Sequence, residues 1–462
     1  MHHRRGRRLL AGTAAALAVI MAVTPPAFAA ADTQIQVELS AASVGVGAQI
    51  PIDPILSADT QVVLTGATMT FELAGDLTGV SLAAADVGVP ECVNDSPVRL
   101  VCTSSFEVEL TPERASGWFD IVVRADETAV AGSAGTVSAT FSADGVQPAG
   151  TTATIQVAES VDIAAGASNQ VRRAPGAAFK ADLAVTNKSD VVVRGVGVVG
   201  YTDYAFQVAK QFSNCRYRGS GVSCLFEQNL KPGVTYRVEL PFRLRTDTQA
   251  PSTSAGEFEW LTAADYANHH YGPGAGTPGT GGKLRLTQVT TATTARAAQT
   301  DTNPDDNWEN VTVRATGVQG IDIAALGASV SGDAGTTVSA TVGVRNNGPA
   351  TLDRSRVGEP ATVAIVTVPP GTTVAAVPDG CAPAEPDTPG TDPSLVQFVC
   401  RTSYLHKAGE TVSWTFGLHI DEATPNATGS IVANPPCECM YFSNDIDKSN
   451  DRALLLVNPA AA

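Results

Sequence analysis

One spacing occurs twice in this chain. Cys224 is followed by six residues, then Lys231, Gly233, Thr235, and Tyr236, Val238 and Leu240 in alternation. Cys400 is followed in the same way by Lys407, Gly409, Thr411, Val412, Trp414 and Phe416. Agreement over such a span marks two copies of one structural unit. Val161-Asp162-Ile163 and Ile321-Asp322-Ile323 form a second matched pair, and Leu183, Val185 and Asn187 match Val342, Val344 and Asn346. The offset between matches changes along the chain, so the copies differ by loop insertions. Earlier, Cys92 and Cys102 sit where Cys215 and Cys224 sit, and a Leu110-Thr-Pro segment leads into Phe119, Ile121 and Val123. That reads as a third, more divergent copy. At roughly 100–200 residues per domain, the 462 residues suit about three domains.

Period-2 alternation sets the type of unit. Tyr236, Val238, Leu240, Phe242 and Leu244 share one face of a strand, with Arg237, Glu239, Arg243 and Arg245 on the other. Trp414, Phe416, Leu418 and Ile420 repeat the pattern and place His419 outward. Val338, Ala340, Val342 and Val344 run into Asn346-Asn347-Gly348-Pro349, where Asn-Gly supplies a turn and Pro ends the ladder. No long helical period appears after residue 29. Short strands between Gly, Pro and Asn turns predict an all-β chain of three tandem immunoglobulin-like β-sandwiches. The expected boundaries are 30–158 (divergent), 159–316, and 317–462. Residues 252–282 depart from the pattern and read as a Gly-rich loop insertion in the second domain.

The start of the chain predicts export. Arg4, Arg5, Arg7 and Arg8 precede an apolar run from Leu9 to Val23, and Ala27-Phe28-Ala29 supplies a small-x-small cleavage site. Residues 1–29 are therefore expected to be a signal peptide, used by the general secretory route. No second apolar stretch is long enough to span a bilayer, and no Leu-Pro-x-Thr-Gly sorting signal is present. The expected location is secreted or extracellular, with cell-wall association held non-covalently. The formal charge of −16 argues against a nucleic-acid partner. The expected partner is a protein or glycan at the cell surface.

Eight cysteines in an exported chain read as a disulfide framework. Cys92–Cys102, Cys215–Cys224 and Cys381–Cys400 are the expected pairs. Cys437 and Cys439 are two apart, an awkward separation for one bond; a Cys-x-Cys redox role is the alternative to a structural one. Two Asp/Asn loops carry oxygen ligands at alternate positions: Asp301, Asn303 and Asp305, and Asp445, Asp447 and Asp451. Such spacing can wrap a weakly held calcium ion, but Asx turns explain it equally well and are preferred. No other cofactor is expected. Trp260, Tyr266, His269, His270 and Tyr271 cluster in the expected insertion, where aromatics over residues 258–271 could stack on sugar rings or anchor a protein. The preferred reading is that they pack back on the sandwich. No Gly-x-Ser-x-Gly elbow, His-Glu-x-x-His helix or phosphate-binding Gly loop occurs.

The third domain carries Val344-Arg-Asn346-Asn-Gly348-Pro349-Ala350, Val368-Pro-Pro370-Gly371, Cys381, Cys400, Ala408-Gly409-Glu-Thr-Val412 and Asn450-Asp451-Arg-Ala453. It resembles the immunoglobulin-like repeats of bacterial cell-wall and surface proteins, catalogued as domain of unknown function eleven. The second domain keeps Asn187, its Cys pair, Pro232-Gly233 and Asp301-x-Asn303-Pro304; the first keeps little beyond its Cys pair. The Ala-rich leader and composition are similar to those of high-GC actinobacterial exported proteins. The resemblance implies surface display, stalk or adhesion roles. The expected function is thus a secreted or envelope-associated structural or adhesive protein without catalytic activity. The alternatives are a carbohydrate- or matrix-binding module acting through residues 258–271, and a glycan hydrolase whose acid pair no motif reveals.

Overall fold

The computed structural model describes residues 33–85, 91–110, 112, 116–117, 119–288, 299–385, 391–392, 394–435 and 445–460. The expected signal peptide, and Cys437 and Cys439, lie outside the described residues. The chain is all-β: 58% is strand against 3% helix. Ala263–Asn268 is the one α-helix among the described residues.

Apolar alternation is the cause of this architecture. In the strand Thr235–Leu244, Tyr236, Val238, Leu240, Phe242 and Leu244 are all buried, and Arg237, Glu239 and Arg243 are exposed. Thr411–Ile420 buries Trp414, Phe416, Leu418 and Ile420, with the His419 ring partly exposed on the outer face. Each such face must be covered by a second sheet, and burying one large apolar side chain contributes roughly 1.5–3 kcal/mol. Three large hydrophobic clusters result, one from Val44 to Val157, one from Val161 to Ala315, and one from Ile321 to Val457, with a small fourth of Val199, Leu261 and Tyr266. In the second and third, two main sheets of immunoglobulin-like sandwich type face one another; in the first, one large sheet is accompanied by three smaller ones.

The second and third clusters are built on one strand plan. In the second, one sheet runs Ile163–Ala165, Ala178–Asn187, Thr235–Leu244, Phe206–Val208. Its partner runs Asn169–Arg173, Trp308–Gln319, Ala250–Thr262, Val193–Thr202, Gly221–Leu230, Cys215–Arg218. The third has Ile323–Leu326, Thr337–Asn346, Thr411–Ile420, Thr372–Ala376 against Ala328–Val330, Arg452–Val457, Ala427–Ala433, Val363–Thr367, Gln397–Arg401, Cys381–Pro383. The repeat extends to single hydrogen bonds. Asn187 is wholly buried; its amide donates to the carbonyls of Val191 (2.8 Å) and Leu230 (2.9 Å) and its Oδ1 accepts from Ser189 N (2.9 Å). Asn346 does the same with Ala350 (2.8 Å), His406 (3.0 Å) and Gly348 N (3.1 Å). Such an Asn satisfies three backbone groups of a buried crossover that no ladder can reach.

Cys92–Cys102, Cys215–Cys224 and Cys381–Cys400 are bonded, each joining directly opposed residues of adjacent strands at or next to the edge of the larger sheet, the Cys215 strand being flanked by Thr277–Pro278. The neighbouring clusters are also tied by backbone. The strand Ala149–Val161 lies in the first cluster's sheet and, through Glu159–Val161, pairs in parallel with Gln299–Asp301. At the next junction the Thr351 hydroxyl donates to Asp247 Oδ2 (2.6 Å) and Gln319 Nε2 donates to the carbonyls of Thr246 and Thr248.

The expected insertion at 252–282 needs correction. Residues 252–262 belong to Ala250–Thr262, an interior strand paired on both sides with Val193–Thr202 and Trp308–Gln319. The Gly-rich composition starts later, after the helix. Thr262 caps that helix by accepting from Asp265 N. The period-2 signal is present, with Glu257 and Glu259 outward against Phe258 and Trp260 inward, but it is short: Ser254 and Gly256 hold the preceding inward places, and a helix follows directly.

Candidate functional site

The five aromatic and histidine candidates do not form one exposed loop. Trp260 is 0% exposed, inside the second core against Phe226. Its indole Nε1 donates to Glu309 Oε1 (2.8 Å), which also accepts from Ala184 N on the facing sheet (3.0 Å). Glu309 is itself buried, and burial pushes its carboxyl up to about 7. This corrects any reading of Trp260 as a surface anchor. Tyr266 is buried as well: its ring covers Gly197, where a Cβ would overlap it, and its hydroxyl donates to Ser223 Oγ (3.2 Å). His269, His270 and Tyr271 do lie at the surface side of that helix. His269 Nε2 is 3.5 Å from Glu259 Oε2, and the His270 ring meets Tyr271 edge-on at 4.7 Å.

Those residues belong to a different assembly on the outer face of the second cluster's larger sheet. Neighbouring strands place Trp308 opposite Glu259, Glu257 opposite Tyr201, and Arg218 opposite Gly221. Tyr201 stacks on Trp308 (6.4 Å, 20°) and meets Tyr271 edge-on (5.0 Å). Burial, with Glu259 nearby, pushes the Tyr201 hydroxyl above its usual range. Beside these rings lies a cleft of about 500 Å³ lined by Tyr201, Tyr271, Arg216, Arg218, Asp203 and Glu257, with Arg356 from the third cluster. Arg356 closes the wall: its Nε and Nη2 bond Asp203 Oδ1 at 3.0 and 2.7 Å, and Nη1 is 3.7 Å from Glu257. Arg216 is held by the carbonyl of Gly276 (2.9 Å). Arg218 has no ion-pair partner among the described residues.

The two Asp/Asn loops turn out to be equivalent backbone staples. Asp301 Oδ2 accepts from Ile163 N (3.2 Å) and Asn307 Nδ2 (2.9 Å), and Oδ1 from Asn303 N (2.8 Å). Asp445 accepts from Ile323 N (3.2 Å) and Asp447 N (3.2 Å). Asp447 caps a short turn through Ser449, and Asp305 sits in the first turn of Pro304–Asp306. Burial first, then Asp445 and Asp322, push Asp451 up to about 7. The carboxylates of Asp301 and Asp445 thus spend their lone pairs on backbone N–H groups. No group of three or more potential metal ligands occurs among the described residues.

Sequence reasoning missed Tyr201, Asp203, Arg216, Arg218, Glu257, Trp308 and Arg356. A signal was present for two of them: Arg216 and Arg218 alternate with Cys215 and Tyr217 ahead of a Gly-Ser-Gly hairpin, which marks an outward basic face. The others come together only through sheet pairing and the contact between clusters.

No protein-family model matches the chain, and no curated protein matches it. Among solved structures, a cohesin of Acetivibrio cellulolyticus scaffoldin B, in complex with a dockerin, is 13% identical over 27% of this chain and 98% of that one, with a TM-score of 0.21. A protein described as membrane anchored, from Corynebacterium diphtheriae, is 11% identical over 92% of each chain, with a TM-score of 0.18. Red sea bream transglutaminase is 14% identical over 56% of this chain and 31% of its own, with a TM-score of 0.17. Scores this low carry no inference about ligand or activity. No helix among the described residues is long and apolar enough to cross a membrane.

Proposed function

We propose that this chain is a secreted or cell-envelope-associated structural or adhesive protein without catalytic activity, built from three tandem immunoglobulin-like domains of the bacterial surface-repeat type. One observation carries the reading: consecutive sandwiches are joined by shared β-pairing, as where Ala149–Val161 leaves the first sheet and pairs with Gln299–Asp301. A linker of this kind holds binding faces at fixed spacing, which suits display more than a mobile catalytic lid. Three disulfides at matching sheet edges fit an oxidising compartment. Hydrolysis is the weaker reading. The two carboxylates of the cleft, Asp203 and Glu257, both rest against Arg356. A guanidinium favours the charged form of a neighbouring carboxylate, the opposite of what a general acid needs.

The test is fractionation of the producing cells, with thiol titration and small-angle scattering of the recovered protein. The reading expects the protein in the medium or wall fraction, with the six described cysteines oxidised and an extended particle. A reduced cytoplasmic protein overturns it.

A further inference from the structure

The two related sandwiches differ most on the outer face just described. By strand register, Tyr201, Arg216 and Trp308 of the second unit correspond to Thr367, Ala382 and Arg452 of the third. The fold forms equally well around these smaller or differently charged residues, so the ring-and-guanidinium arrangement is no requirement of the scaffold. It nevertheless converges on one cleft. The rings of Trp308, Tyr201 and Tyr271 form a chain of contacts that ends on the cleft wall. Neither the Tyr201 nor the Tyr271 hydroxyl has a hydrogen-bond partner among the described residues. Arg216 and Arg356 are fixed by their partners, and Arg218 projects from the same strand as Arg216 with its five donors unspent. Gly219, Ser220 and Gly221 keep the hairpin beside it small, which leaves the opening.

We propose that this cleft binds an acidic saccharide: a pyranose ring lies on the tyrosines and a uronate-type carboxylate pairs with Arg218. The inference rests on the surface-binding reading above and deepens it. Aromatic faces take the C–H face of a sugar ring. Asp203, Glu257 and Ser220 supply acceptors, and Ser220 a donor, for ring hydroxyls. A guanidinium fork matches a carboxylate in two parallel hydrogen bonds. A volume of about 500 Å³ lies in the ordinary range for small-ligand sites. The chain as a whole is acidic, but screening in physiological salt acts over about 8 Å, so a short anion inside the cleft meets mainly the cleft's own charges: three arginines against Asp203 and Glu257, which are paired with Arg356, so that the excess positive charge lies at Arg216 and Arg218. A long polyanion would also meet the acidic surface around them.

Calorimetric titration of the full chain tests this with three probes: a short oligogalacturonate, a neutral oligogalactoside and an oligoglutamate. Saturable binding of the oligogalacturonate, with the other two at least about tenfold weaker, supports the proposal. Arg218→Gln and Tyr201→Ala should each weaken it about tenfold or more, one step of affinity being 1.4 kcal/mol. Lys180→Ala, on the opposite sheet, should change nothing, and circular dichroism verifies that each variant keeps its β signal. Equal binding of oligoglutamate overturns the sugar and makes the site one for acidic peptides. Binding that survives both substitutions places the ligand elsewhere, and no binding by folded, oxidised protein overturns the proposal while leaving the surface reading intact. A cytoplasmic, reduced protein would instead remove the surface reading itself.

Discussion

The second and third sandwiches fill the same frame from opposite sides. Trp260 stands opposite Val198, which stands opposite Cys224. In the third unit Ala433 stands opposite Ala364, which stands opposite Cys400. Ala433 therefore holds the place of Trp260. On the facing sheet the exchange reverses: Leu183 pairs with Val238 in one unit, and Val342 pairs with Trp414 in the other. Each sandwich has room for one indole, contributed by the larger sheet in the second unit and by the smaller sheet in the third. Close packing dictates this: interiors have almost no voids, so a ring gained on one sheet must be matched by one lost on the other. The choice has an electrostatic consequence. Trp260 brings an indole N–H into the core, and Glu309 answers it; where Trp260 is replaced by Ala433, Glu309 is replaced by Ala453.

The sharpest way to break this comparison is to move the indole. Trp260→Ala removes a fully buried ring and leaves Glu309 with Ala184 N as its one remaining donor among the described residues, and should cost about 3–5 kcal/mol. Adding Val238→Trp, which copies the third unit, should restore part of that loss. Hydrogen exchange of peptides from Ala178–Asn187 reads the second unit alone. The double variant should be more stable than Trp260→Ala by about 1 kcal/mol or more, a coupling within the usual range for residues in contact. If Val238→Trp destabilises the single variant further, the two sandwiches do not share one volume and the exchange is coincidence.

The shared part of the frame is tested by the buried asparagines. Asn187→Ala and Asn346→Ala each strand two carbonyls and one N–H in the interior, and should each cost about 3 kcal/mol. The comparison requires near-equal losses, each confined to its own unit by hydrogen exchange. A loss in only one would mean that the other crossover has a second means of support.

How much of this was readable beforehand follows from where information sits in the chain. The strand Thr235–Leu244 and its counterpart Thr411–Ile420 were legible because alternation is local and nearly unbroken. Asn187 and Asn346 were visible as a matched pair, but their bonding was not, since Leu230 and His406 lie far along the chain. Trp260 does pack back on the sandwich, but from a strand and not from a loop insertion: only Phe258 and Trp260 mark the apolar face of Ala250–Thr262, whose other inward places hold small residues. The cleft was invisible in the sequence: Trp308, Tyr201 and Arg218 become neighbours only through sheet order, and Arg356 arrives from another sandwich.

The last difference is one of pH. Glu309 has a folded pKa of about 7, raised from its ordinary 4.5 chiefly by burial and only partly offset by Trp260 and Ala184. Its Oε2 has no hydrogen-bond partner among the described residues, which suits the protonated form. A carboxyl whose folded pKa is raised binds its proton more tightly in the folded state. Its stabilisation is therefore complete below pH 4.5 and is lost as pH rises through about 7. Glu309's share of the second unit's stability, roughly 1–3 kcal/mol, should be lost between pH 4.5 and 8, and Glu309→Gln should remove that share while matching the parent at the acid end, leaving the share of Asp265, whose carboxyl burial pushes up to about 6. The third unit has Ala453 in this place; its slope comes instead from the half-exposed Asp451, whose charge salt can screen, and from Asp445, also raised by burial, with the buried His406, lowered by burial, acting in the opposite direction. Raising ionic strength should then shrink the third unit's slope and leave the second's nearly unchanged. A slope in the second unit left unchanged by Glu309→Gln would take the titration away from Glu309, and one that vanishes in salt would move it out of the core.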